Sequence, residues 1–303
     1  MMVVGCGSVG SEVVRLLAGR ISHWTLVDNG CVSVFNPHRQ WFGTAEIGTR
    51  KVLALRRRLA PAEVLAIDRA CDAERLDDFR SVLRRARPHL VVLSAGTSEQ
   101  GPLARVLWRM GVPHVVAWAY PQARYFEVNV VLPQHGTPCL HCLRSHLAAG
   151  PAAPPPVRDE LASFLYQELS GADREQAYRD LVAEPATPVD TARLAAVTTA
   201  CVVEALRPPL DRAPWFRRLL REKTTCLLGG NQVTEIGGRP AYGIQRPGQV
   251  IRLGLEDLVR GTGACPGCGR CLPVAAGERA AEANEPNLSS RAADEGLLLA
   301  SGA

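Results

Sequence analysis

Three glycines near the start of the chain have the spacing of a nucleotide-binding loop. The sequence GCGSVG places Gly5, Gly7 and Gly10 in a Gly-x-Gly-x-x-Gly pattern, after an apolar run and before a helical pattern. Glycines there let backbone N–H groups approach a phosphate, and the helix N-terminus adds a favourable field. Asp28 ends the second apolar run, where a carboxylate can accept hydrogen bonds from a ribose. NAD, FAD and ATP all fit this loop.

The segment that follows the second apolar run favours ATP. It carries two amides, Asn36 and Gln40, and two cations, Arg39 and Lys51. A dehydrogenase does not need this set, whereas an enzyme that grips a triphosphate and expels pyrophosphate does. Lys51 is one of only two lysines among 35 basic residues, so a lysine here is an unusual choice. We expect Arg39 and Lys51 to neutralise the β- and γ-phosphates while the α-phosphate is attacked.

Two cysteine pairs have the spacing of metal ligands. Of the ten cysteines, Cys139 and Cys142 form one C-x-x-C pair, and Cys265 and Cys268 form the other. In a reduced compartment such pairs indicate a metal before disulfides. Four thiolates with no open position suit a tetrahedral, structural Zn²⁺ site. The alternative is four unrelated buried cysteines, which the paired spacing makes the weaker interpretation.

The elements that position these residues follow from hydrophobic periodicity. In the first half, short β-branched runs alternate with helical patterns, which predicts a Rossmann-like α/β fold with a doubly wound, mostly parallel sheet. The ligand crevice of such a sheet lies at the carboxyl ends of its strands. The predicted strands are 3–5, 23–28, 62–68, 88–95, 113–118 and 126–132, and the predicted helices are 11–18, 45–60, 72–85 and 99–110.

The second half predicts a different organisation. A proline-rich stretch opens a mobile crossover loop, and a strongly apolar helix over 191–207 follows it. Short strands at 224–230, 241–245 and 249–254 predict a C-terminal antiparallel extension, before the second cysteine pair. The predicted units are a nucleotide-binding half (1–135), a first zinc knuckle with the crossover loop (136–190), a C-terminal part with the second knuckle (191–273) and a disordered tail (274–303).

Composition excludes several classes of protein. The 303 residues are 47% hydrophobic, yet no apolar run approaches the roughly 18 residues of a membrane span. The net charge of +5 is spread along the chain, which argues against nucleic-acid binding. The sequence shows no export leader, so we expect a cytoplasmic protein. The preference for arginine over lysine is typical of a GC-rich, bacterial genome.

The motifs, taken in order, resemble the ThiF/MoeB/ubiquitin-activating enzyme superfamily. The matching pieces are GCGSVG, LVD, N-x-x-RQ, IG-x-x-K, PCLHC and ACPGC, which run from about residue 3 to residue 271. The resemblance implies an ATP-dependent adenylyltransferase. In such an enzyme the C-terminal carboxylate of a ubiquitin-like or sulfur-carrier protein attacks the α-phosphate of Mg-ATP and releases pyrophosphate. A sibling chemistry adenylates the carboxylate of a ribosomal peptide.

The resemblance also implies roles and partners. The three glycines would form the nucleotide loop, Asp28 would hold the ribose, and the four cysteines of the two pairs would bind structural zinc. The residues that would surround the phosphates are Asn36, Arg39, Gln40 and Lys51. The expected partners are a carrier that ends in Gly-Gly, a second copy of the chain in a homodimer, and a downstream conjugating enzyme or sulfurtransferase.

The sequence departs from the superfamily pattern after the fourth strand. Relatives have an acidic residue there that helps to hold Mg²⁺, whereas LSAGTSEQ has Ser94 and Thr97 near those positions and Glu99 as its first carboxylate. No cysteine lies between Cys142 and Cys201, and Cys201 is interpreted as a small buried hydrophobe, so no enzyme thioester is expected. Two alternatives therefore stay open: a degenerate, non-catalytic subunit that binds the carrier and an active partner, and an NAD(P)- or FAD-dependent oxidoreductase.

Overall fold

The computed structural model contains one large sheet with helices on both of its faces. It describes residues 1–69, 75–119, 123, 125–147, 187–222, 225–231, 235–236, 239–240 and 244–253. The strands are β1 Met2–Val4, β2 His23–Val27, β3 Glu63–Ile67, β4 Val91–Leu93, β5 His114–Ala119, β6 Tyr125–Val131, β7 Cys226–Gly230, β8 Glu235–Ile236, β9 Arg239–Pro240 and β10 Val250–Leu253. The helices are α1 Ser8–Leu17, α2 Lys51–Arg58, α3 Leu76–Ala86, α4 Thr97–Arg109, α5 Leu140–Leu147, α6 Pro188–Leu206 and α7 Pro214–Arg221.

The large sheet has eight strands in the order β10-β7-β6-β5-β4-β1-β2-β3. The five strands from β3 to β5 are parallel to one another, and β6, β7 and β10 extend the sheet in antiparallel fashion. The predicted Rossmann-like sheet with an antiparallel extension is therefore confirmed. Strands β8 and β9 form a separate two-stranded pair.

The core is split by the sheet into two layers, because both faces of the central strands are covered. Val3, Leu26 and Val92 face the layer that contains α1 and α6, in which Val13 and Val202 are fully buried. The alternate residues of the same strands face α3, α4 and α5 on the other side. This double burial explains why the central strands read as continuous apolar runs in the sequence.

Two predicted helices have different bounds in the structure. The helix expected over 45–60 is divided into a 3₁₀ turn at Thr44–Glu46 and α2, which begins only at Lys51. Gly48 lies between them with φ of +85°, a conformation that a continuous helix does not contain. The apolar helix expected from residue 191 begins at Pro188, since Thr187 and Asp190 form a capping box there.

Other sequence predictions lie outside the described residues. These are most of the crossover loop, the second cysteine pair and the C-terminal tail. The strand expected at 241–245 is described only at its last two residues, which are not in a strand. Among the helices that the structure describes, none is long and apolar enough to cross a membrane.

Candidate nucleotide site

The strand order reverses beside β1, and this reversal creates a crevice. Strand β1 pairs with β2 on one side and with β4 on the other. The chain builds β2 and β3 outward in one direction and then returns to build β4 and β5 in the opposite direction. In open parallel sheets, ligands bind outside the carboxyl ends of the strands at such a reversal. The glycine loop follows β1 at this end.

The three glycines of the loop have different physical roles. Gly5 has φ of +87°, and a Cβ on it would lie 2.6 Å from the backbone of both Ser94 and Ala95. Gly10 packs against the carbonyl oxygen of Gly5, so a side chain there would also clash with backbone. A Cβ on Gly7 would meet nothing within 4 Å. Gly5 and Gly10 therefore shape the loop, while Gly7 leaves open space at the N-terminus of α1, where a phosphate is favoured.

Asp28 holds the glycine loop against the segment that follows β2. Its Oδ2 accepts a hydrogen bond from the backbone N–H of Cys6 at 2.6 Å, and its Oδ1 accepts one from Gly30 at 2.7 Å. The side chain is partly exposed at the crevice. Each carboxylate oxygen has a second acceptor site, so these bonds leave Asp28 able to accept from a ribose. The ribose contact itself stays a prediction.

Lys51 lies next to Asp28 because both pack around Gly30. The backbone N–H of Lys51 donates to the carbonyl of Gly30 at 3.0 Å. A Cβ on Gly30 would lie 3.0 Å from Asp28 Oδ1 and 3.5 Å from Lys51 Cε. Both charges also act on Cys6 in the glycine loop: burial raises the pKa of its thiol, Asp28 raises it further, and Lys51 lowers it. The structure thus brings Lys51, Asp28 and the glycine loop together.

Asn36, Arg39 and Gln40 belong to one turn in the loop before α2. Asn36 Oδ1 accepts from the N–H of Ser33 at 2.9 Å, and its carbonyl accepts from the N–H groups of Arg39 at 3.1 Å and Gln40 at 2.9 Å. Gln40 Nε2 donates to Ser8 Oγ at 3.4 Å, at the first residue of α1. Gln40 Oε1 is buried without a hydrogen-bond partner among the described residues. This turn therefore places Gln40 against the start of α1 and Arg39 beside it.

Ser94 occupies a position at which the superfamily resemblance implies an acid. Its hydroxyl donates to the carbonyl of Gly5 at 2.7 Å, and its N–H donates to the carbonyl of Val4 at 2.9 Å. The side chain thus joins the end of β4 to the glycine loop. A hydroxyl used in this way supplies no negative charge for a cation.

Gln100 is a residue of this region that the sequence does not single out. It is buried on α4, and its Nε2 donates to the carbonyls of Ala95 at 2.9 Å and Ala117 at 3.1 Å. Ala95 lies two residues after β4, and Ala117 lies in β5, so Gln100 fixes the spacing of these two strands beside the crevice. No spacing or motif in the sequence connects a glutamine on one helix to two strand ends.

Residues 1–95, which contain the glycine loop, the turn before α2 and the end of β4, match the model of the ThiF family. The superfamily resemblance inferred from the motifs is thereby confirmed.

Solved structures with the same fold include MccB of E. coli. One structure of E. coli MccB has a TM-score of 0.55 at 18% identity, with coverage of 89% of this chain and 65% of MccB. A structure of E. coli MccB with AMPCPP and MccA has a TM-score of 0.54 at 17% identity, with coverage of 89% and 66%. This chain therefore spans about two thirds of the length of MccB. In a sequence comparison, no curated protein matches the chain.

Of the two cysteine pairs of the zinc site expected from the ThiF resemblance, the structure describes the first. Cys139 is buried immediately before α5, and Cys142 lies partly exposed in the first turn of that helix. Residues three apart in this way share one side of a helix. Cys265 and Cys268 lie outside the described residues, so the four-thiolate site stays a prediction. Within the described part of the chain, no group of three or more His, Cys, Asp or Glu is arranged to hold a metal ion.

Two described cysteines within residues 1–95 and the cysteine on α6 differ in their exposure to solvent. Cys201 is fully buried on α6, and burial, with a smaller effect of Glu204, raises the pKa of its thiol to about 12. Cys6 is also fully buried, with its pKa raised well above the ordinary value. Both thiols stay protonated at neutral pH, which makes them poor nucleophiles. Cys31 is exposed.

Proposed function

We propose that this protein catalyses ATP-dependent adenylation of the C-terminal carboxylate of a ubiquitin-like or sulfur-carrier protein. The observation that carries the proposal is the open space at the N-terminus of α1, with Lys51 and Gln40 held beside the glycine loop. The ThiF match of residues 1–95 supports it. A structure of E. coli MccB, which shares the fold, contains the ATP analogue AMPCPP together with MccA.

In the proposed reaction, a carboxylate oxygen of the carrier attacks the α-phosphorus of ATP. The bond between the α-phosphorus and the oxygen that bridges to the β-phosphate breaks, and the electron pair leaves with pyrophosphate. The product is an acyl-adenylate. Lys51 and Arg39 offset the charge that accumulates on the leaving pyrophosphate, and backbone N–H groups of the glycine loop bind phosphate oxygens. Asp28 accepts from the ribose, and Asn36 keeps Arg39 and Gln40 in one turn.

One observation favours the second candidate, a non-catalytic subunit. Ser94 carries a hydroxyl engaged with Gly5, where the superfamily resemblance implies a carboxylate. A subunit of this kind would retain the fold and the carrier surface and leave the chemistry to an active partner. The homodimer, the downstream transfer enzyme and the zinc knuckle are expectations from the same resemblance.

Exchange of labelled pyrophosphate into ATP tests the proposal directly. With Mg²⁺ and a carrier ending in Gly-Gly, we expect carrier-dependent exchange that falls by about 100-fold or more in Arg39→Ala and Lys51→Ala. Arg57→Ala is the matched control, because it removes an exposed cation from the same helix as Lys51 and should leave exchange unchanged.

Three other results would redirect the assignment. Carrier binding without exchange in the wild type would establish the non-catalytic subunit. Tighter binding of NAD than of ATP would establish the oxidoreductase. Exchange that depends on a short peptide and not on a folded carrier would move the substrate to the peptide class.

A further inference from the structure

One aromatic residue follows the phosphate turn, residues 36–40, which carries Arg39 and Gln40. This residue is Trp41, whose side chain is partly buried against the core layer that contains α1. The backbone stays bent here, since the N–H of Phe42 donates to the carbonyl of Gln40 at 2.7 Å. Because Trp41 is the next residue along the chain, its place in the fold determines where the phosphate turn ends.

Helix α1 holds the backbone of Trp41. The hydroxyl of Ser11, a fully buried residue, accepts a hydrogen bond from the N–H of Trp41 at 3.1 Å. Ser11 lies three residues after Ser8, whose hydroxyl accepts from Gln40 Nε2 at 3.4 Å. Residues three apart are neighbours on the surface of a helix. The helix whose N-terminus faces the open space beside Gly7 therefore contacts the end of the phosphate turn at two neighbouring points.

A charged pair from the segment that follows holds the ring of Trp41. The guanidinium carbon of Arg58, on α2, lies 5.4 Å from the ring centroid, which is within the range of a cation–π contact. Nε of Arg58 donates to both carboxylate oxygens of Glu46, at 3.0 and 3.1 Å. This hydrogen bonding lowers the pKa of the Glu46 carboxyl group, so the pair stays charged at neutral pH. Glu46 also accepts from the N–H of Gly43 at 2.7 Å, two residues after Trp41.

These contacts hold the end of a turn that carries a cation and an amide. Such groups stabilise developing phosphate charge most when they are in place before the phosphates bind. Displacement of a group by about 1 Å can remove much of its effect. We propose that Trp41 is a positioning residue of the phosphate turn, which it fixes so that Arg39 and Gln40 meet the β- and γ-phosphates of ATP. This inference rests on the proposed function. Trp41 acts through the backbone of the turn and not by a contact with the nucleotide.

Comparison of two nucleotides separates positioning from a general loss of stability. The full chain is titrated with AMPCPP, which carries the β- and γ-phosphates, and with AMP, which lacks them. We expect Trp41→Leu to weaken binding of AMPCPP about tenfold and to leave binding of AMP unchanged. Trp41→Phe, which keeps a ring beneath Arg58, should retain most of the affinity for AMPCPP. Ser11→Ala leaves the ring in place and removes the acceptor of the Trp41 N–H, so it should also weaken binding of AMPCPP alone.

A double-mutant cycle tests whether Trp41 acts through the phosphate turn. If it does, Trp41→Leu should weaken AMPCPP binding by less than about twofold once Arg39→Ala is present, because the group that it positions is gone. Trp215→Leu is the matched control. Trp215 is partly buried against the same core cluster, on α7, so its replacement should lower the thermal unfolding midpoint and change neither nucleotide affinity.

Several results would overturn the positioning role. These are wild-type affinity for AMPCPP in the folded Trp41→Leu and Ser11→Ala variants, equal weakening of AMP and AMPCPP binding, and losses that multiply in the cycle with Arg39→Ala. If the wild type exchanges pyrophosphate in any of these cases, adenylation stands without the role of Trp41. Binding of AMPCPP that depends on Trp41, in a chain that shows no exchange, would instead overturn adenylation and keep the positioning role.

Discussion

The carboxylate of Asp28 accepts hydrogen bonds from the backbone N–H groups of Cys6 and Gly30. The side chain of Lys51 lies against Gly30. At the scale of single residues, the candidate site is therefore held together by backbone groups of the loops that carry it. Small side chains matter in the same way, because Gly5, Gly10 and Gly30 each allow a close approach that a Cβ would obstruct.

The loop glycines give a prediction at this scale. Gly5→Ala combines a φ of +87° with contacts of 2.6 Å to the backbone of Ser94 and Ala95, so we expect it to destabilise the fold by about 1–3 kcal/mol or more. Gly7→Ala meets no atom within 4 Å and should leave the free energy of unfolding unchanged, although it should weaken ATP binding. Urea unfolding and nucleotide titration of both variants measure these effects. Equal loss of stability in the two variants would contradict this account of the loop.

Elements are positioned by contacts that run between them. Gln100 on α4 joins the ends of β4 and β5, Ser94 joins β4 to the glycine loop, and Gln40 joins the turn before α2 to the start of α1. Each of these side chains is polar, and each connects two separate parts of the fold. Together they fix the width of the crevice.

Replacement of Gln100 tests the contribution of one such contact. Gln100→Met keeps the side-chain volume but removes the amide group that donates hydrogen bonds. The carbonyls of Ala95 and Ala117 then lose the hydrogen bonds from residue 100. We expect a loss of about 1–3 kcal/mol in the free energy of unfolding and a weaker affinity for ATP. Gln245→Met, at an exposed position, is the control and should change neither. Unchanged ATP affinity in a destabilised Gln100→Met variant would limit its role to stability.

The whole molecule carries a buried base that links its stability to pH. His114 is fully buried at the start of β5, its Nδ1 bonds to the carbonyl of Val112 at 2.9 Å, and Nε2 has no hydrogen-bond partner among the described residues. Because that carbonyl can only accept, Nδ1 carries the proton. Burial lowers the pKa of His114 from 6.5 to about 4. Burial and the charge of Arg212 also lower the pKa of His135.

The sign of the resulting pH dependence follows from linkage. Between pH 6.5 and about 4 the unfolded chain binds a proton at residue 114 that the folded chain does not, so stability is lost as the pH falls through this window. For His114 the loss is on the order of 3 kcal/mol. Urea unfolding across the window should give a flatter slope in His114→Asn, whose amide can still donate to Val112. His23→Asn, at an exposed histidine, should keep the wild-type slope; a wild-type slope in His114→Asn would contradict the assignment.

Much of the fold could be predicted from the sequence, because periodicity and motif spacing are local properties. The six strands of the first half lie within or close to their predicted ranges, and the glycine loop joins β1 to α1 as expected. The helix expected over 45–60 was wrong in its first part. Gly48 adopts φ of +85° there, and the adjoining backbone pairs with the segment after Asp28 in a contact that no local pattern shows.

The sequence by itself determined the residue types of the candidate site, since a glycine loop, an acid at a strand end and paired cations already limit the ligand to a nucleotide. Only the tertiary structure decided which of these residues meet. Gln40 reaches the start of α1, Lys51 and Asp28 both lie against Gly30, and Ser94 donates to Gly5. The same holds for Gln100 and Trp41, because hydrogen bonding and burial depend on neighbours that are distant in sequence and become adjacent only when the sheet is assembled.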